Sequence, residues 1–194
     1  MHVVAFNGSP RAGGNTERLI KAVFEPLEEA GITTEIVKIG GHALRGCVAC
    51  GQCRERKNNR CVIESDMIND CIAKMNAADA IILGSPTYFA DVSTEMKALI
   101  DRAGYVTLGN GRTLSRKIGA AVMAVRRGGA IHAFDTMNHF FMISRMIVPG
   151  STYWNFGIGR NPGEVENDAE GLANMRDLGE TIAWLLRKTA GASA

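Results

Sequence analysis

The sequence predicts an α/β fold, a three-layer sandwich in which a five-stranded parallel sheet is covered by helices on both faces. Short apolar runs alternate with amphipathic helical stretches along all 194 residues. Two runs, Ala80-Ile81-Ile82-Leu83-Gly84 and Gly119-Ala120-Ala121-Val122-Met123-Ala124-Val125, are apolar almost without interruption, as central strands buried on both faces must be. No linker, repeat or low-complexity stretch breaks the series. A single domain over residues 1–194 is therefore expected, with a cysteine-rich loop at 47–61.

Strands are expected near residues 2–6, 34–39, 80–84, 117–125 and 145–149. After the first strand, Leu19, Ile20, Val23 and Leu27 share one helical face, and Gly31 ends that helix. Pro26, late in it, predicts a tightened or kinked turn. A helix over 66–77 carries Met67, Ile68, Cys71, Ile72 and Met75 as one stripe. Another, holding Lys97 and Asp101, follows the third strand. The last, over 168–188, carries Leu172, Met175, Leu178, Ile182 and Leu185. The Gly-rich stretch from Gly150 to Gly163 reads as a long functional loop with no regular element.

The richest chemistry follows the first strand, His2-Val3-Val4-Ala5-Phe6. The loop Asn7-Gly8-Ser9-Pro10-Arg11-Ala12-Gly13-Gly14-Asn15-Thr16 leads directly into a helix. Glycines let backbone N–H groups turn inward, Ser9, Asn15 and Thr16 add side-chain donors, and the helix start supplies positive dipole. Arg11 can close over a bound anion as a charged clamp. The loop reads as a phosphate cradle. It is not a Walker loop, which needs a Lys-Ser/Thr pair, and it lacks the dinucleotide fingerprint G-x-G-x-x-G.

Gly8-Ser9-Pro10-Arg11 with Gly14-Asn15-Thr16 resembles the G-S-P-R-x-x-G-N-T signature of the NADPH-dependent FMN reductase family. The resemblance implies a flavodoxin-like fold with strand order 2-1-3-4-5 and a ligand at the switch point outside strands one and three. It further implies bound FMN, its phosphate held by Ser9, Arg11, Gly14, Asn15 and Thr16. A closed phosphate nest disfavours flavin adenine dinucleotide, which carries a second phosphoryl group. The segment Ser85-Pro86-Thr87-Tyr88, followed by Ser93, Lys97 and Asp101, resembles the family's ring-binding segment. Pro86, Tyr88 and Phe89 are then expected as apolar walls and Thr87 with backbone amides at the polar edges, with Ser93 a further cofactor contact of the segment. The third contact is expected at Arg126-Arg127-Gly128-Gly129, where Arg126 meets pyrimidine or ribityl oxygens and Gly128 and Gly129 allow close backbone approach. For Arg127 a solvated basic turn is an equal reading. Gly150-Ser151-Thr152-Tyr153-Trp154-Asn155-Phe156-Gly157 resembles a segment of flavodoxin-like reductases that also carry a cysteine motif.

Of five cysteines, four are clustered: Cys47-x-x-Cys50-x-x-Cys53, then seven residues to Cys61. Clustered thiols suit metal binding or redox chemistry better than a secreted disulfide scaffold. The spacing resembles the C-x2-C-x2-C-x4–7-C motif of the iron–sulfur flavoproteins, which implies a [4Fe–4S] cluster on Cys47, Cys50, Cys53 and Cys61 beside FMN. Zinc and unmetallated thiols remain open alternatives, though the spacing lacks the second C-x-x-C pair of a zinc knuckle. Cys71, on an apolar helix stripe, reads as core. Arg54, Arg56, Lys57 and Arg60 beside the cluster either form a solvated loop or steer an acidic donor such as ferredoxin.

A net charge of +2 argues for neither nucleic acid nor a membrane surface as partner, and no apolar run approaches a membrane span. No charged-then-apolar leader precedes the first strand, so a cytoplasmic location is expected. Ser9 lies in no G-x-S-x-G elbow, and His2, His42, His132 and His139 have no ligand spacing, which sets aside hydrolases and mononuclear metalloenzymes. The family resemblance implies an oxidoreductase with no catalytic side chain, because the flavin carries the chemistry. NAD(P)H would be the donor and a quinone, nitro compound, flavin or metal centre the acceptor. The alternative is an electron carrier fed by ferredoxin; a flavin-binding regulatory module has no feature of its own. The resemblance also implies a homodimer or homotetramer, for which Tyr88, Phe89, Val92, Met96 and Leu99 would make an interface stripe, although helices of monomers bury similar stripes against their own sheet.

Overall fold

The computed structural model describes residues 1–190. Five parallel strands form the sheet: β1 (His2–Asn7), β2 (Thr33–Lys38), β3 (Ala80–Pro86), β4 (Ile118–Val125) and β5 (Phe156–Ile158), in the order β2-β1-β3-β4-β5. This is the predicted order, and the side chains show the sheet covered on both faces. Val4, Phe6, Ile81, Leu83, Met123 and Val125 face one layer, while Val3, Ala5, Ile82, Ala120 and Val122 face the other, all buried. Strands so enclosed have no polar face to show in the sequence.

The first layer is built by α3 (Ile68–Ala77), α4 (Thr94–Gly109) and α5 (Ala130–Ile143). The second is built by α1 (Asn15–Glu29) and α6 (Ala169–Thr189). The expected helical stripes bury almost as drawn, Leu19, Ile20, Val23 and Leu27 in α1 and Ile68, Cys71, Ile72 and Met75 in α3. α1 runs on through Pro26 to Glu29. Two elements are not revealed by periodicity: the short α2 (Gln52–Arg56) within the cysteine loop, and α5, which leaves Ile131, Met142 and Ile143 exposed.

The fifth strand is not at 145–149. There only Ile147 pairs, accepting from Gly119 N–H at 2.9 Å and donating to the Lys117 carbonyl at 2.9 Å, as an isolated parallel bridge beside Ile118. Pro149 has no N–H with which to continue a ladder. The chain loops away and returns at Phe156 to pair with Met123, so β5 lies inside the Gly150–Gly163 stretch expected to be irregular. The proposed interface stripe also divides. Val92, Met96 and Leu99 are buried beneath the helices, whereas Tyr88 and Phe89 are exposed. Residues 92, 96 and 99 therefore serve the core of this chain. Among the described residues, no helix is long and apolar enough to cross a membrane.

Candidate functional site

At the carboxyl end of β1 the chain turns sharply before entering α1. Ser9 N–H donates to Asn7 Oδ1 at 2.9 Å, and Ser9 Oγ accepts from Arg11 N–H at 3.3 Å, which curls the loop inward. Gly14 stands at the helix cap and offers no side-chain acceptor, so the first turn of α1 keeps donors for an outside anion. Gly40, just past β2, packs directly on this loop: a Cβ there would lie 2.2 Å from the Ser9 carbonyl carbon.

A cleft of about 250 Å³ opens above this loop. Ser9, Arg11, Asn15 and Thr16 form one side, and Pro86, Thr87 and Tyr88, after β3, form another. Ala124 and Arg126, at the end of β4, and Gly159 and Arg160, after β5, complete it. Three guanidinium-bearing residues and no carboxylate line it, which favours an anionic ligand.

Gly159 and Arg160 lie in the Gly150–Gly163 stretch read as a functional loop, but no motif singles them out; this wall is held in place by side chains of the first loop and of α1. Arg11 Nη1 donates to the Arg160 carbonyl at 2.8 Å. Asn15 Nδ2 donates to the Asn161 carbonyl at 2.9 Å, and Asn15 Oδ1 accepts from Gly163 N–H at 2.9 Å. Thr87 is anchored by donating from N–H and Oγ1 to the Ala124 carbonyl, at 2.9 and 3.2 Å.

Five expected contacts lie outside the lining. Gly14 sits behind the loop as the helix cap. Ser93 is fully buried: its Oγ accepts from Met96 N–H to cap α4, and its own N–H donates to Ser85 Oγ at 2.9 Å. Phe89 is turned outward and wholly exposed on a left-handed backbone, with φ of 48°. Gly129, at φ of 88°, begins α5 and packs against Ala90, so Gly128 and Gly129 shape the loop that borders Thr87 without lining the cleft.

The second expected cluster does assemble. Cys47, Cys50, Cys53 and Cys61 line one small pocket, walled by Val62, Ile63, Tyr105 and Val106. Ala49 and Gly51 take left-handed φ values of 53° and 75°, turning the chain back between successive cysteines. Burial pushes the Cys53 thiol above its ordinary value, with neighbouring Cys61 and Cys50 adding to the rise. Asn110, just past α4, braces both arms of the loop, donating to the Cys53 carbonyl at 3.1 Å and accepting from Asn59 N–H at 2.9 Å. Arg54 lies over the Tyr105 ring at 5.1 Å from its centroid. Among the described residues, no three His, Cys, Asp or Glu groups converge to hold a single ion.

The family model of NADPH-dependent FMN reductase matches residues 1–161. The chain belongs to that family. The match takes in the cysteine loop and every cleft residue through Arg160. An iron-sulfur flavoprotein of Methanocaldococcus jannaschii is 37% identical over 194 residues, covering 96% of this chain and 98% of that protein. An iron-sulfur flavoprotein of Methanosarcina thermophila is 36% identical over 188 residues, covering 96% and 95%. Among solved structures, RosB with the bound intermediate 8-demethyl-8-formylriboflavin-5'-phosphate superposes with a TM-score of 0.76 at 17% identity, over 98% of this chain and 80% of that one, a likeness of fold. This FMN reductase family member thus combines the flavodoxin-like sheet with a cysteine loop packed against α4.

Proposed function

We propose that the protein binds FMN and acts as an FMN-dependent oxidoreductase, passing electrons from NAD(P)H to a small acceptor of the quinone, nitro-compound, flavin or metal-centre class. The observation that carries this is the arginine-lined cleft at the carboxyl ends of β1, β3 and β4, built on the loop that bears the family signature. Its residues fit the cofactor: Ser9, Arg11, Thr16 and the open donors of α1 suit the phosphate, Pro86 and Tyr88 suit a flat apolar ring, and Arg126 suits electron-rich carbonyl edges. Bound there, FMN supplies hydride acceptance from a nicotinamide and onward release of the electrons. The protein's part is to hold the phosphate, fix the ring and leave one side open for a donor.

A second reading rests on the cysteine pocket, with support from the two archaeal relatives named as iron-sulfur flavoproteins. A [4Fe–4S] cluster is held by four thiolates, and four cysteines line this one pocket. Cys47, Cys50, Cys53 and Cys61 would hold it, and the group supplies one-electron transfer. Exposed Arg54, Arg56, Lys57 and Arg60 beside it suit an acidic partner such as ferredoxin.

Stopped-flow reduction separates the two. Rapid bleaching of flavin absorbance by NAD(P)H is the outcome expected of the reductase. Bleaching by reduced ferredoxin alone would overturn it in favour of the carrier.

A further inference from the structure

Arg102, on the inner face of α4, has no exposed side-chain surface. A guanidinium cannot shed its proton, so a buried one must be fully paired. All its side-chain hydrogen bonds go to the cysteine loop and the residues that flank it. Nη1 donates to Asp66 Oδ2 at 2.5 Å and to the Arg45 carbonyl at 3.1 Å. Nη2 donates to the Ile63 carbonyl at 2.7 Å, and Nε donates to Cys61 Sγ at 3.3 Å. One side chain therefore fastens both ends of the segment that carries the four cysteines.

The contact with sulfur is the unusual one. Asp66, itself almost fully buried, already balances the charge of Arg102, so Cys61 is not needed as a counter-ion. Burial acts to raise the Asp66 carboxyl, but hydrogen bonds from Arg102, Arg45 N–H and Ile68 N–H outweigh it and hold the group below its ordinary value. A neutral thiol is a weak acceptor, whereas a metal-bound thiolate is a strong one. The backbone of Cys61 is held separately from α3, where Asn69 accepts from its N–H at 2.8 Å and donates to its carbonyl at 2.9 Å. Among the described residues, the other three cysteine sulfurs receive no charged donor; Cys47 Sγ accepts only from Ala49 N–H.

We propose that Arg102 is a positioning residue for a [4Fe–4S] cluster on Cys47, Cys50, Cys53 and Cys61, fixing the Cys61 sulfur and raising the cluster's reduction potential. The proposal rests on the cluster reading above and goes beyond it. A hydrogen bond to a ligand sulfur and a nearby positive charge both favour the more electron-rich state, which raises the potential. Asp66 opposes this from the Nη1 side and at the same time orients the guanidinium so that Nε is left for sulfur.

The test uses the full chain, FMN-loaded and reconstituted anaerobically with iron and sulfide. Iron per chain is assayed, and the cluster's midpoint is read by an electron-paramagnetic-resonance redox titration. The variants are Arg102→Lys, Asp66→Asn and the pair Arg102→Met with Asp66→Asn, which removes both charges together. The double variant should lower the reduction equilibrium constant at least tenfold, about 59 mV for one electron. Arg102→Lys keeps the charge but loses the Nε–H and should fall between the double variant and wild type. Asp66→Asn, which keeps Arg102 and its sulfur contact, should move the midpoint upward, and Arg102→Lys, which keeps the charge but not the Nε–H, decides the question even should the double variant prove insoluble. The flavin midpoint in the same samples should not move. Full iron loading with every midpoint at the wild-type value would overturn the role of Arg102 and leave the cluster reading standing. Wild-type protein that binds FMN but takes up no iron would overturn both.

Discussion

Asn15 and Asn161 are joined by a 2.9 Å hydrogen bond from Asn15 Nδ2 to the Asn161 carbonyl, linking the first turn of α1 to the loop after β5. The side chain expected to touch phosphate is thus occupied in holding the opposite wall of the cleft. Asn15→Ala strips partners from the Asn161 carbonyl and Gly163 N–H together and should cost about 1–3 kcal/mol in a urea melt. Combined with Arg11→Ala, it should weaken FMN binding at least tenfold. Unchanged affinity by flavin-fluorescence titration would place the phosphate elsewhere.

Gly40→Ala tests the cradle from behind. The added methyl group would sit 2.2 Å from the Ser9 carbonyl carbon and 2.5 Å from the Gly8 carbonyl oxygen, so the loop has to move. A loss of about 1–3 kcal/mol in thermal unfolding, with FMN affinity falling alongside it, is the expected result. A stable variant with wild-type affinity would show that the loop yields without reshaping the cleft.

Cys71 should be inert until the protein unfolds. It is completely buried, and burial, reinforced by Asp70 and Asp66, pushes its thiol from an ordinary 9.0 up to about 12. Because the folded value is the higher, this contribution to stability is fully present below pH 9 and is lost as pH rises towards 12. Native iodoacetamide labelling should leave Cys71 unmodified, and denaturant midpoints should fall over that interval. Rapid native alkylation of Cys71 by peptide mapping would contradict its placement.

Self-association should depend on Phe89, a wholly exposed aromatic beside the half-exposed Tyr88. We propose a homodimer or homotetramer that covers this pair. Sedimentation velocity at micromolar concentration should show an oligomer for the wild type and a shift towards monomer for Phe89→Asp. A monomeric wild type would remove the idea.

What the sequence discloses and what it conceals divide along physical lines. β3 and β4 are legible because burial on both faces leaves no polar residue to interrupt them. β5 is hidden because Phe156-Gly157-Ile158 is short and less apolar than the Ile147-Val148 decoy. Gly157 is there because a Cβ would meet Leu19 and Val165 at 2.6 Å, a close approach no local pattern reveals. The loop after β1 announces itself as a candidate anion cradle, since its glycines and donors are contiguous. Gly159 and Arg160 do not, because they reach the cleft only when the chain returns. Ser93 misleads because a hydroxyl that caps a helix and one that binds a ligand look alike in sequence. Arg102 is concealed for the opposite reason: a charged helical residue reads as solvent-facing, and its burial depends on Asp66 arriving from another loop.

The tie between Arg11 and the Arg160 carbonyl spans 149 residues, and with the Asn15 contacts it makes the binding site a late product of chain folding. A growing polypeptide that already carries the complete signature loop still lacks one wall until the segment around Gly163 has emerged and doubled back. Closing so long a span is an entropic cost that only the assembled sheet and helices offset. A ligand held there would bind the finished architecture and not the local motif alone, so its binding should stabilise the whole fold against heat.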